Sequence, residues 1–255
     1  MEHSVIAGHY ARKQILSKDR LISWSHRRRF RVALQLAGKI APEQVLDYGC
    51  GDGTFLSMLM SGRSAPKRAI GAELNASVVE DCDTRLGHTP GLSFVPVNEL
   101  ELPEHRGSYD LVVCMEVLEH VLDIRPILDS FDRLLASKGS LLITVPVETG
   151  LPLVVKQMVR TIAGWRGIGD YPGTTSYTLK EWWAGIFAGR RQHLARPTHR
   201  AMDGSCFHDH KGFNWMALRE SVAGWFDIER TVSSPLMWLP PQLASQVCLL
   251  ARKRR

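Results

Sequence analysis

Five short stretches of this chain carry residue types that could do chemistry together. The first is VLDYGCGDGTF, Val45 to Phe55, in which an apolar run reaches Asp47 and then breaks into glycines at 49, 51 and 53. Glycine has no Cβ, so a turn built from it lets the main chain come close to a ligand. A turn that cradles a diphosphate has the spacing G-x-G-x-x-G and opens on a helix N-terminus. Here the glycines alternate, Thr54 stands at the position of the third fingerprint glycine, and Asp47 and Asp52 flank the turn. Two carboxylates are poor neighbours for a diphosphate and suit a cation, so the stretch favours a positively charged ligand without phosphate. Glu73, with Leu74 beside it, lies twenty residues beyond Gly53, where an acidic side chain can accept both hydroxyls of a ribose. Asn98 and Glu99 offer an amide and a carboxylate to an adenine amino group, and CMEVLEHV, Cys114 to Val121, follows.

Proton removal from a hydroxyl nucleophile needs a base near neutral pH, usually a histidine. His120 in the Glu-His-Val run competes for that role with His208 and His210 in CFHDHKGF; His26, in WSHRRR, reads as part of a helical lid. The alternation Cys206-x-His208-Asp209-His210, with His193 and His199 upstream, could chelate a metal, but nothing supplies a well-spaced remaining pair. No metal is expected.

These residues are positioned by alternating strands and helices. Strands are expected at 44–48, 68–73, 92–97, 109–115, 140–146, 226–233 and 245–253. Helices are expected at 17–40, 53–61, 75–86, 123–136 and 213–224, the fourth stopped by Lys138-Gly139. Strands that are apolar on both faces and alternate with helices imply a doubly wound, mostly parallel α/β sheet with helices on both sides. The chemical residues then fall at the carboxyl edge of one sheet, where such folds bind ligands. A single domain is expected over 1–255, with a helical N-terminal cap over 1–41 and a cofactor core over 42–146. An irregular insertion over 147–211 and a C-terminal helix with two strands over 212–255 complete it.

Composition narrows the partners. Five cysteines are scattered without C-x-x-C spacing, which suits buried thiols in a reducing cytosol rather than disulfides. The first residues lack the apolar core of a signal peptide, and no run is long enough to span a bilayer. Net charge is +6, and residues 11–31 hold eight Arg and Lys against one Asp. That segment is a solvated helix face or an attractor of an anionic substrate or lipid surface; without interleaved aromatics, nucleic acid is the weakest partner.

D-x-G-C-G-D-G, an acidic second strand end and DLVVCMEVLEHV together resemble class I S-adenosylmethionine-dependent methyltransferases, most closely over 45–145. The resemblance implies a Rossmann-like seven-stranded sheet with an antiparallel last strand and S-adenosylmethionine as cofactor. It implies Asp47, Gly49 and Gly51, with Cys50 between them, along the methionine end, and Glu73 and Leu74 at the ribose. Asn98 and Glu99 would lie near the adenine, and Met115 and Glu116 beside the sulfonium arm. The layout is similar to ubiquinone-pathway O-methyltransferases and to methyltransferases of surface-glycan pathways. The expected acceptor is a small molecule, glycan or lipid-linked intermediate, methylated at oxygen. Tyr10 and the basic helix either fold over the cofactor as a cap or pack against the sheet; packing is expected for Trp24, and the roles of Arg28 and Arg29 stay open. Residues 151–166 join apolar side chains to Lys156 and fit either a lid over the site or peripheral membrane contact at the inner face. The expected location is the cytoplasm. A nicotinamide-dependent oxidoreductase is the rival reading, disfavoured by Thr54, and a non-catalytic cofactor-binding scaffold is the third.

Overall fold

The computed structural model describes residues 8–165, 176–201 and 204–254. Five parallel strands form first: β1 (Gln44–Tyr48), β2 (Arg68–Glu73), β3 (Leu92–Pro96), β4 (Tyr109–Met115) and β5 (Leu135–Pro146). A hairpin of β6 (Thr198–Arg200) and β7 (Cys206–His208) stands apart. Strands β8 (Phe226–Ser234) and β9 (Gln246–Lys253) return to the main sheet, whose order is β3-β2-β1-β4-β5-β9-β8. Only β9 runs against the rest, since it is antiparallel to both of its neighbours.

The sheet is buried on both faces, as its apolar strands require. One face packs against α4 (Arg125–Leu134) and α7 (Trp215–Trp225) through Leu128, Phe131, Leu218 and Val222. The other face meets α1 (Arg20–Ile40), α2 (Thr54–Met60) and α3 (Ala76–Leu86) through Phe30, Leu36, Phe55 and Val79. Each such Leu or Phe contributes about 1.5–3 kcal/mol by leaving water. Helix α1 is therefore a covering layer of the sheet, and among the described residues the π-helical turn Ala11–Ile15 precedes it as a cap.

Two boundaries differ from the sequence expectation. Helix α4 stops at Leu134, and β5 starts at Leu135, so Lys138-Gly139 lies inside a strand instead of closing a helix. Gly139 serves strand approach there: a Cβ on it would stand 2.9 Å from the Tyr109 carbonyl oxygen. At the third strand, Pro96 ends the ladder and Val97–Glu101 turn as a 3₁₀ helix. The insertion after β5 is ordered as α5 (Gly150–Trp165), α6 (Leu179–Ile186) and the β6–β7 hairpin. Residue 166, the end of the expected membrane segment, lies outside the described residues. Among the described residues, no helix is long and apolar enough to cross a membrane.

Candidate active site

A cavity of about 670 Å³ opens at the carboxyl ends of β1, β2 and β4. Its floor is the glycine turn. The Gly49 and Cys50 amides donate to the Ala72 carbonyl at 2.8 Å and 3.1 Å, which turns the chain back over β2. Gly49 and Gly51 have φ of 72° and 54°, left-handed conformations that favour glycine. A Cβ on Gly49 would stand 2.5 Å from Val117, whereas one on Gly51 would meet nothing within 4 Å because it would project into the cavity. Gly53 is the N-cap of α2, and Asp52 before it accepts from the Thr54 amide and hydroxyl at 3.2 Å and 2.5 Å. The other Asp52 oxygen accepts the Ala11 amide at 2.9 Å, fastening the N-terminal turn to the loop.

Asp47, Gly49, Cys50, Gly51, Glu73, Leu74, Met115, Glu116 and His120 all line the cavity. Glu73 holds the loop directly, accepting from the Gly51 and Leu74 amides at 2.9 Å and 2.7 Å. Each of its oxygens keeps a second acceptor position for ligand hydroxyls. Asp47 is 2% exposed, and its Oδ1 has no partner. Burial, and then the charge of Glu73, push its carboxyl up to about 8. A buried carboxylate without a partner is costly, so a cationic ligand group beside it would relieve that cost. On the nucleoside side Val97 lines the cavity, while Asn98 and Glu99 are exposed on the 3₁₀ turn and are not among the residues lining it. Strand β3 ends at Pro96, one residue earlier than expected.

Glu116, at φ 56°, is fixed by three partners: Arg29 at 3.1 Å, Thr144 at 3.1 Å and Gln246 at 3.1 Å. Arg29 is buried, lines the cavity and donates to the Tyr10 hydroxyl. Tyr10 in turn pairs with His26 Nδ1 at 2.7 Å. Burial pushes the Tyr10 hydroxyl up to about 12, while burial and the Arg29 charge push His26 down to about 4. His26 thus sits neutral within the cap. Arg28 reaches the Pro235 carbonyl instead, and Trp24 is exposed rather than packed on the sheet. Sequence reasoning left Arg29 open. The signal was its place on the stripe of His26, Phe30, Ala33 and Ala37, spaced three or four residues apart on the inward side of α1.

The insertion delivers the second half of the site. The His208 amide donates to the His120 carbonyl at 2.9 Å, and His120 Nδ1 lies 2.8 Å from the His208 carbonyl. A carbonyl only accepts, so Nδ1 donates, and Nε2 lies 3.9 Å from Glu119 Oε1. His210 packs edge-on against His120, with ring centroids 4.9 Å apart, and burial lowers its pKa. Glu119 is fully buried, and neither carboxylate oxygen accepts a hydrogen bond, although Oε1 lies 3.9 Å from His120 Nε2; burial, then Glu116, raise its pKa. Arg196 ties the hairpin down by donating to the Glu119 and Asp209 carbonyls. His208 stands apart: its Nδ1 donates to the Pro197 carbonyl at 2.9 Å, and its ring lines a neighbouring cavity of about 440 Å³. His199 pairs with Asp209 at 3.3 Å. Thus the Cys206–His210 alternation does not converge. Among the described residues, the group able to hold an ion is Glu119, His120 and His210, whose ligand atoms lie within 4.8 Å of one another.

Comparison with known proteins bears on this architecture. Residues 23–211 match the family described as "Methyltransferase domain". The ubiquinone biosynthesis O-methyltransferase of Psychrobacter arcticus is 40% identical over 103 residues, which are 39% of this chain and 39% of that one. Its counterpart from Bordetella avium is 40% identical over 90 residues, 35% of this chain and 36% of that one. The matched region thus spans well under half of these relatives. A Pyrococcus horikoshii protein, PH0226, shares the fold at a TM-score of 0.60 and 11% identity, covering 97% of this chain and 100% of that one. The N-methyltransferase NodS of Bradyrhizobium japonicum, solved with S-adenosylhomocysteine, aligns at 0.53 and 14%, over 90% and 87% of the two chains. With most of its length inside the family match and its glycine turn at the carboxyl edge of such a sheet, this chain belongs to the S-adenosylmethionine-dependent methyltransferase-domain family.

Proposed function

We propose that this chain transfers the methyl group of S-adenosylmethionine to a hydroxyl of a small-molecule, glycan or lipid-linked acceptor, with His120 as the base. The observation that carries the reading is the anchoring of His120: its Nδ1–H is committed to the His208 carbonyl, so Nε2, 3.9 Å from Glu119 Oε1, is the nitrogen left to take a proton. The cofactor, when bound, supplies an activated methyl group, and the protein has to orient and desolvate the partners. Asp47 offers its unpartnered carboxylate to the methionine ammonium, and Glu73 its spare acceptor positions to the ribose. Arg29 presents a buried guanidinium on the same wall for the methionine carboxylate. His120 takes the acceptor proton while the cavity holds the nucleophile about 3 Å from the methyl carbon. The relatives named ubiquinone biosynthesis O-methyltransferases support oxygen as the target.

A second reading of the same cluster is favoured by Glu119. Its two oxygens, neither of which accepts a hydrogen bond, lie beside His120 and His210 and suit a divalent cation, which would polarise the acceptor oxygen in place of a base. Peripheral membrane contact extends the acceptor reading. Leu151, Val155, Met158 and Val159 of α5, Leu179, Trp183 and Phe187 around α6, and Met237 and Trp238 are exposed. Helix α5 touches both α6 and the 241–243 turn, so these apolar side chains belong to adjoining segments.

The test has two stages. Calorimetry should show S-adenosylhomocysteine binding and no NADH binding; the opposite result rejects the reading. Transfer of a labelled methyl to catechols, glycosides and prenylated phenols is then measured for wild type, His120→Ala and His210→Ala. Loss of transfer at least 100-fold in His120→Ala with retained binding supports the base. Full activity in both variants refutes it, and dependence on added Mg²⁺ that chelator abolishes selects the metal reading. Binding without transfer to any acceptor supports the scaffold alternative.

A further inference from the structure

The glycine turn carries chemistry that methyl transfer does not use. Cys50 and Cys82 meet beneath it. Both sulfurs also point at one oxygen, the Gly51 carbonyl, at 3.7 Å and 3.3 Å. Their surroundings differ. Cys50 is part of the cavity wall, and the neighbouring Cys82 and burial push its thiol up. Cys82 lies on α3, where the neighbouring Cys50, against the cost of burial and with the Arg85 guanidinium 3.7 Å away, lowers its thiol pKa. The same guanidinium donates to the Asp52 carbonyl at 3.0 Å, coupling α3 to the turn. The Gly51 amide, on the other side of that residue, donates to Glu73. One residue of the turn thus joins the thiol pair to the acidic strand end.

We propose that Cys50 and Cys82 form an oxidisable dithiol whose closure to a disulfide distorts the glycine turn and switches off cofactor binding. The chemistry of the pair is independent of the proposed function; its effect on ligand rests on that reading. The oxidant is a small peroxide entering through the cavity. One thiolate of the pair attacks a peroxide oxygen; an S–O bond forms, the O–O bond breaks, and the leaving hydroxide takes up a proton as water. The second thiol loses its proton and attacks the oxidised sulfur, expelling a second water. Two thiols and one peroxide become one disulfide and two waters, with two electrons passing from sulfur to oxygen. A disulfide holds its sulfurs about 2.05 Å apart and carries no S–H. The Gly51 carbonyl therefore loses both thiol donors, and drawing the two sulfurs together pulls the Gly51 amide off Glu73. Ligand in the cavity covers Cys50 and blocks the route.

The experiment treats the full chain with hydrogen peroxide, maps cysteine pairs by non-reducing peptide mass spectrometry and measures S-adenosylhomocysteine binding before and after dithiothreitol. A Cys50–Cys82 crosslink, at least tenfold weaker binding restored by the reductant, and protection by prior ligand are expected. Cys82→Ser should lose the oxidant sensitivity, while the exposed Cys206→Ser should keep it. Crosslinks confined to Cys206, or a peroxide-induced binding loss that persists in Cys82→Ser, overturn the proposal. If the reduced protein binds no S-adenosylhomocysteine, the nucleoside reading fails; the crosslink map and a shift in Tm on oxidation then decide the dithiol by themselves.

Discussion

Asp47 stands at the start of the glycine turn with an unpartnered oxygen, and its protonation has a measurable consequence. Its folded pKa, about 8, exceeds the ordinary carboxyl value of 3.8. The folded chain therefore holds a proton that the unfolded chain gives up, and stability falls as pH rises through that window. Asp47→Asn should flatten this dependence, making the ligand-free protein more stable than wild type by about 1–3 kcal/mol at pH 8. Urea unfolding at pH 5 and pH 8 checks this, and the same variant should bind S-adenosylhomocysteine at least tenfold more weakly. Glu73→Ala should weaken binding by a similar factor and also loosen the turn, since two amides lose their acceptor; unchanged affinity by calorimetry would remove Glu73 from the ribose. Most of this wall was legible as residue type plus spacing. Arg29 was not, because a cation within a basic run looks solvated until the helix phase shows which of eight points inward. Glu119 was equally hidden: its burial comes from packing of the insertion, which strand and helix periodicity does not encode.

At the scale of elements, the glycine positions give a paired test. Gly49→Ala meets both a left-handed φ and Val117 at 2.5 Å, so it should cost about 2–4 kcal/mol in stability. Gly51→Ala faces open space and should cost only about 1 kcal/mol, yet lose ligand affinity because its methyl occupies the cavity. Thermal unfolding and calorimetry on the two variants separate fold from site. The parallel strands were readable because each is a short apolar run buried on both sides. Strand β5 was placed late, for Leu135–Lys138 continues the apolar spacing of α4 and only pairing with Tyr109 makes it extended. Similarly, Asn98 and Glu99 matched a pattern of polar strand ends, but β3 stops at Pro96 and both residues fall on the 3₁₀ turn. The β6–β7 hairpin has three-residue strands, too short for any periodicity, and its fixing to His120 and Arg196 is tertiary.

Across the whole molecule, the apolar residues of α5, α6 and the 237–243 stretch form an exposed surface on a chain of net charge +6, a combination suited to anionic bilayers. Trp183→Ser with Trp238→Ser should reduce cosedimentation with phosphatidylglycerol vesicles at least fivefold, leaving S-adenosylhomocysteine affinity intact. Equal sedimentation of the variant would favour the lid reading of α5. The attachment of the hairpin to His120 has a further consequence, in time rather than space. Most of the cavity wall comes from the first half of the chain, whereas the carbonyl that orients the imidazole belongs to His208. Glu116 on that wall is itself held by Gln246, and the sheet beneath it is completed by β9 and β8, so a ribosome has delivered nearly the whole chain before the pocket takes shape. Donor binding and a correctly held base therefore arrive together, and truncations that end before β9 should lose both.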